Sequence, residues 1–459
     1  MLLNPKSEEA YNLFHEGILA LSHAEEAGIR VDMDYVNRQC KILDRKMKDL
    51  EAEFKESRLF KHWEHVSKGK VNINSDAQLR HFLYDIKKLT PAKLTESGLG
   101  STDEESLVAL DVPELLKLID IKKLKKTRDY LEGYAREQVD GYIHPNFNLH
   151  LVKTYRSSSS NPNLQNVPKR DDDQMKTCRG ALYPRPGHQF VEIDFKSIEV
   201  SISCAYHKDS TMIRYMKNKD SDMHADMAKQ IFIIDKIDKS NPTHAILRQS
   251  AKNGFVFPEF YGDYYVDCAK IICGWAKLPI GKWTTGMGIE LDTSAFTISD
   301  HLIAKGINSY KKFESHIEEV EDDFWSSRFG EYADWRKRWW TVYQKYGYID
   351  LLTGFRCSGV MDMKNCVNYP IQGTSFHCLL WSFIQTDKWL RENKMRSRLI
   401  GQVHDSMILD IHPDEREMVI AKIKDITCVE LPQHWQWINV PLEVDTDIYP
   451  VDGSWAEKN

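Results

Sequence analysis

Between residues 8 and 57 apolar positions recur at helical spacing in a background rich in Glu, Lys, Leu and Ala, with a break at 28–34. The pattern predicts two helices joined by a short extended turn. Residues 72–75 read as a turn feeding a helix over 78–85, and the run Ser101-Thr102-Asp103-Glu104-Glu105 offers Thr102 as an N-cap with Glu105 as its capping-box partner. A further helix is predicted over 119–136. Near Asp140 the texture changes, as Gly141, Pro145, the serines at 157–160, Pro162 and Pro168 replace helical periodicity with turns, and a domain boundary is placed there. Residues 189–194 (Gln-Phe-Val-Glu-Ile-Asp) and 406–411 (Ser-Met-Ile-Leu-Asp-Ile) are short apolar runs that predict two partnered, buried strands, one ending at Asp194 and the other beginning just after Asp405. Residues 211–261 and 299–346 return to helical patterns, separated by a Gly- and Trp-containing stretch at 272–294 that reads as an insertion. No internal repeat or low-complexity tract is present.

The 459 residues, 42% hydrophobic and 28% charged, bury a substantial core. Lys plus Arg is 62 against 68 for Asp plus Glu, a net charge of −6, which excludes a chain that grips polyanions by bulk charge. A nucleic-acid partner must be held by local patches. One candidate is the cluster Lys122, Lys123, Lys125, Lys126 and Arg128 on the predicted 119–136 helix, for which an ordinary solvated face is the alternative. Nine cysteines, an odd count without a Cys-x-x-Cys pair, point away from a disulfide framework or zinc ribbon and toward reduced thiols. Lys6, Glu8 and Glu9 interrupt the N-terminus where a secretory signal needs apolar residues, and no window approaches a membrane span; a cytoplasmic protein of a bacterial or phage-infected cell, without membrane contact, is expected.

Two acidic residues at strand ends can hold a hard divalent cation, because Mg²⁺ is usually bound by one or two carboxylates together with substrate phosphates. Asp194 and Asp405 suit that role, although a single Asp after a strand is more often a turn former or an N-cap. Arg248 and Lys252 lie four apart, so on a helix beginning at Asn241-Pro242 they present two cations along one face, where phosphates or merely solvent would meet them. The aromatics of Trp335-Arg-Lys-Arg-Trp-Trp340 could stack on bases, but their spacing is more often that of helix packing.

Arg156-Ser-Ser-Ser-Ser-Asn-Pro-Asn-Leu-Gln-Asn-Val-Pro168, Asp194-Phe-Lys-Ser-Ile-Glu199, Arg248-x-x-x-Lys252 with Tyr261-Gly262, Asn368-Tyr-Pro-Ile-Gln-Gly-Thr374 and Gln402-Val-His-Asp405 follow one another in the order of the family A, polymerase-I-like DNA polymerases. The chain resembles that family through most of its length, including Gly28-Ile-Arg-Val-Asp32 and residues 444–455 at the flanks. The resemblance implies an α+β right-hand fold: a thumb region with a palm-flanking helix over 1–140, palm over 141–212 and 347–459, and fingers over 213–346 with an insertion near 263–298. It implies DNA-dependent addition of dNTPs to a primer 3′ end, in phage replication or repair, with two Mg²⁺ ions, or Mn²⁺ as substitute, held by Asp194, Asp405 and the backbone carbonyl of Phe195. Arg248, Lys252 and His224 are implied to face the nucleotide's phosphates, Glu199 and Tyr261 its sugar, and Phe257 or Tyr261 its base. Arg156, Asn163, Gln165, Asn166, Arg170, Asn368, Gln372, His404 and the basic cluster at 122–128 are the implied contacts to primer-template DNA.

Three departures qualify that picture. After Lys252 the family places an aromatic residue at +4 and Tyr-Gly at +8 and +9, whereas Val256 and Phe260 occupy those offsets here; a one-residue π-bulge would restore the phase and bring Phe257 and Tyr261 onto the Arg248 and Lys252 face. Ser406 stands where the family's DNA polymerases usually carry Glu. His-Asp-Ser is found instead in the related single-subunit RNA polymerases, so an RNA polymerase is the alternative reading, and a catalytically weak DNA-binding scaffold a further one. Finally, thumb-like motifs begin within about the first thirty residues, from which we expect no intrinsic exonuclease and any proofreading on a separate chain; a helicase or processivity factor is a candidate partner, and a monomer is expected.

Overall fold

The computed structural model describes residues 7–95, 97–169, 171–218, 220–291 and 296–458. Helix Ser7–Ala27 and helix Met33–Lys55 are separated by the strand Ile29–Val31, which replaces the expected turn. This strand pairs with Tyr142–Ile143 on one side and Leu182–Tyr183 on the other. Gly28 makes the bend at φ +64°, and a Cβ there would lie 2.7 Å from the His144 ring, so both conformation and space demand glycine.

Met33–Lys55 runs antiparallel to the long helix Pro113–Glu137, with Glu53 ion-paired to Lys117 at 2.7 Å near one end and Asp44 to Arg128 further along. Between them, helices Arg58–Val66, Asp76–Arg80 and Glu104–Ala109 fold around a core of their own, in which Trp63 stacks on Phe82 at 5.4 Å. The helix at 104 starts one residue later than expected. Its N-cap is Asp103, whose carboxylate accepts the Ser106 amide at 2.8 Å, so neither Thr102 nor Glu105 forms the predicted box.

A four-stranded antiparallel sheet carries the palm, in the order Val444–Ile448, Gln189–Phe195, Ser406–Ile411, Arg398–Val403. Ser406 and Asp445 both lie opposite Asp194. The expected pairing of 189–194 with 406–411 is therefore present. The 30-residue helix Met363–Glu392 packs on this layer and against Ser7–Ala27, and at Gly373 a Cβ would sit 2.4 Å from the Thr154 carbonyl, so only glycine allows the close approach.

The fingers are helical: Met223–Phe232, Pro242–Ala251, Tyr265–Trp275, Tyr310–Asp323 and Gly330–Tyr346 surround a common apolar centre. The described part of the stretch read as an insertion folds back into that centre, where Trp283 is buried against Phe313 at 5.6 Å. Trp335 is likewise buried, against Tyr206, His207 and Tyr332, so it packs the helix rather than presenting a stacking face. No helix among the described residues is long and apolar enough to cross a membrane.

Candidate active site

Strand alternation delivers Asp194 to the last turn of the pleat, while Asp405 sits in the tight turn between Arg398–Val403 and Ser406–Ile411, made possible by His404 in the left-handed region at φ +53°. The Phe195 amide donates to the Asp405 carbonyl at 3.2 Å, which ties the turn to the neighbouring strand end. Burial, followed by the charge of Asp405, pushes the Asp194 carboxyl up to about 7. Lys169, its ammonium 4.0 Å from Asp194 Oδ2, works in the opposite direction.

Asp194 Oδ1 is buried and has no hydrogen-bond partner. An orphaned carboxylate oxygen beside a second carboxylate is a donor set suited to a hard divalent cation. Among the described residues no three His, Cys, Asp or Glu side chains converge on one metal position, so the cation's remaining ligands would have to be waters and substrate oxygens. A cavity of about 200 Å³ opens beside Asp405, lined by Arg156, Glu199, Gln372 and His404.

The fingers helix begins at Asn241, whose side chain caps the amides of Thr243 and His244, with Pro242 in the first turn. The helix passes through a π-helical turn, Lys252–Val256, into Phe257–Tyr261. The π turn is present where expected and brings Phe257 beside Lys252. Lys252 Nζ lies 5.2 Å from the Phe257 ring centre, His224 meets the same ring edge-on at 5.7 Å, and the Tyr261 hydroxyl donates to Glu199. Arg156 reaches the other Glu199 oxygen at 3.4 Å, and Asn368 donates to the Tyr261 carbonyl at 3.2 Å.

Arg248 is held by Asp222, with Nε 2.8 Å from Oδ2, and Lys239 binds the same oxygen at 2.8 Å. Burial opposes ionisation of Asp222, but the Arg248 and Lys239 contacts and the Ala225 amide outweigh it and hold the carboxyl well below its ordinary range. Burial, then the Arg248 and Lys252 charges, push His224 down to about 4, so it is neutral near pH 7; its buried Nδ1 lacks a partner.

The expected DNA contacts separate into two groups. Lys122 pairs with Asp76 at 2.6 Å, Lys123 with Glu104 at 2.7 Å and Asp171 at 3.3 Å, and Arg128 with Asp44 and Glu132, so these three are engaged in ion pairs rather than forming one free basic patch. Lys125 and Lys126 have no ion pair among the described residues, and Lys126 is exposed. Gln165 donates to Ser157 at 2.8 Å and to Gln402 at 2.7 Å, in a network that joins the 156–168 segment to the strand leading to Asp405. Asn163 caps the turn at Asn166, whose carbonyl receives the Tyr130 hydroxyl. Gln372 and His404 line the cleft, and Arg170 lies outside the described residues.

Lys169, Asp222 and Glu192 were missed by sequence reasoning. Asp222 sits two residues before His224 and Glu192 two before Asp194, a spacing that carries signal only once the helix and strand faces are known.

A right-hand arrangement of palm sheet, helical thumb and helical fingers, with two aspartates at adjoining palm-strand ends, defines a nucleic-acid polymerase fold. The model of DNA polymerase family A matches residues 34–272 and 286–456, and the chain belongs to that family. Residues 273–285, within the stretch read as an insertion, fall between the two matched segments. DNA polymerase I of Bacillus subtilis (strain 168) is 26% identical over 435 residues, 93% of this chain and 44% of that protein. DNA polymerase I of Chloroflexus aurantiacus is 27% identical over 464 residues, 96% and 42% of the two chains. The thermostable DNA polymerase I of Thermus filiformis is 27% identical over 444 residues, 93% and 46%. The chain thus spans less than half the length of these relatives. The POL domain of Pol1 from M. smegmatis, solved with DNA primer-template and dNTP, has the same fold, with a TM-score of 0.71 at 22% identity, covering 96% of this chain and 70% of that one.

Proposed function

We propose that the chain is a template-directed DNA polymerase that adds dNTPs to a primer 3′ end in replication or repair, using two Mg²⁺ ions. The observation that carries this reading is the pairing of Asp194 and Asp405, one with an orphaned oxygen, with Asp405 lining the cavity that Arg156, Glu199, Gln372 and His404 share. Asp194 and Asp405 would hold the cations, and the Phe195 carbonyl is the backbone ligand nearest in sequence. The chemistry such cations supply is acidification of the primer hydroxyl and neutralisation of charge on the transferring phosphate and departing pyrophosphate.

The chain's own residues do the positioning. Arg248 and Lys252 bind the β- and γ-phosphates, Arg248 exchanging part of its Asp222 contact for phosphate. His224, neutral near pH 7, donates one hydrogen bond to a phosphate oxygen without adding charge. Phe257, fixed between Lys252 and His224, offers a stacking surface near the base. Glu199, anchored by Tyr261 and Arg156, closes the space beside the sugar's 2′ position, and a ribose hydroxyl would clash there or strand the carboxylate. That latch is the feature favouring dNTPs over the RNA-polymerase alternative that Ser406 raises.

Primer extension on a DNA template with Mg²⁺, dNTPs in one reaction and rNTPs in the other, tests the reading. Extension with dNTPs alone, lost in Asp405→Ala while primer-template binding persists, is expected, and Glu199→Ala should raise rNTP use relative to dNTP use by roughly tenfold or more. Equal use of rNTPs by the unaltered chain would favour RNA synthesis, and absence of extension with intact binding would favour a scaffold.

A further inference from the structure

Glu192 is buried on the palm strand two residues before Asp194, so the two side chains share a face of the sheet, and Ser406 stands opposite Asp194 in the register. The Ser406 hydroxyl lies 3.1 Å from Glu192 Oε1 and 2.9 Å from the Val403 carbonyl, across the turn that carries Asp405. One hydroxyl proton serves both acceptors, so Oε1 is only partly satisfied. The other oxygen, Oε2, accepts from the Tyr449 hydroxyl at 3.3 Å and lies 3.8 Å from the buried Arg179 guanidinium.

Asp194, Asp405 and Glu192 thus lie at the catalytic end of the sheet, with exposed Lys169 4.0 Å from Asp194 and, on the outer strand opposite Asp194, Asp445 already paired with Lys196 at 2.9 Å. A buried carboxylate is costly unless it is paired and hydrogen-bonded, and Ser406, Tyr449 and Arg179 hold Glu192 where its charge acts on Asp194. The Val403–Ser406–Glu192 contacts also link the Asp405 turn to the Asp194 strand from the buried side. Resting on the cation role proposed above for the two aspartates, we infer that Glu192 is a positioning residue of the metal site: through Ser406 it sets the relative placement of Asp194 and Asp405, and it adds a third negative charge behind them that tightens divalent-cation binding. In this arrangement the serine at 406 is the partner of a carboxylate supplied by the adjacent strand.

The test is direct Mn²⁺ binding, followed by electron paramagnetic resonance, to the full chain with a 3′-dideoxy-terminated primer-template and the matching dNTP. Glu192→Gln keeps an acceptor for Ser406 and removes the charge; it should raise the Mn²⁺ Kd about tenfold, the lower end of what partners behind metal ligands contribute, with metal-free circular dichroism and cooperative melting retained. Exchange of the two side chains, Glu192→Ser with Ser406→Glu, should return the Kd to within about threefold of the unaltered chain. Unchanged Mn²⁺ affinity in folded Glu192→Gln, or an exchange variant binding no better than it, would overturn the inference. Should Glu192→Gln fail to melt cooperatively, the exchange variant decides alone, near-original affinity supporting the inference and a tenfold loss ending it. Asp194→Asn in the same assay separates the two levels, because original affinity in that variant would remove the two-aspartate reading itself.

Discussion

Asp194 carries the largest electrostatic conflict of the candidate site. Its carboxyl is raised to about 7 by burial and then by Asp405, so in the metal-free protein the folded state binds a proton more tightly than the unfolded chain does. The sign follows: between the ordinary carboxylate range and about 7 the metal-free fold loses stability as pH rises, because Asp194 must ionise against burial and a like charge. Cation binding reverses the preference, since the ligand must be deprotonated. Apparent Mg²⁺ affinity should therefore weaken by up to about tenfold per pH unit below the raised value, and Mg²⁺ should increase the melting temperature far more at pH 8 than at pH 5.5. A thermal-shift titration across that range checks both, and a pH-independent Mg²⁺ effect would show that Asp194 is not a ligand.

At the scale of the element, the fingers helix and the thumb helix show what a linear pattern can and cannot reveal. The π-helical turn at Lys252–Val256 was legible because the aromatic offsets after Lys252 are wrong by one residue, and a helix has one local way to absorb one residue. The charge cluster at 122–128 was legible as a cluster but not as a surface, because its partners Asp44, Asp76 and Asp171 come from distant parts of the chain. Ion pairs already made within the protein release no counterions when DNA binds. Lys126→Ala should thus lower the salt dependence of primer-template binding by about one unit in the slope of log K against log salt, whereas Lys122→Ala should leave that slope unchanged. Fluorescence-anisotropy titrations at several salt concentrations distinguish the two. The same limit hid the sheet of Ile29–Val31, Tyr142–Ile143 and Leu182–Tyr183, since two- and three-residue strands are too short for alternation to register. The palm strand Gln189–Phe195 and its neighbour Ser406–Ile411 are long and apolar enough to announce themselves.

Over the whole molecule, one large core joins palm, fingers and the base of the thumb, while the lobe around Trp63 and Phe82 keeps a second core to itself. Separately packed regions open at their own free energies. The smaller core, built on short helices and connected through the Met33–Lys55 and Pro113–Glu137 pair, should exchange its amides for deuterium before the palm strands do. On the proposed function, the consequence reaches the length of the product. As temperature rises, the enzyme would let go of its template earlier while each individual addition still quickens. Product length per encounter would then fall at temperatures where the single-turnover rate is still climbing, and warmth would shorten the copy before it stopped the copying.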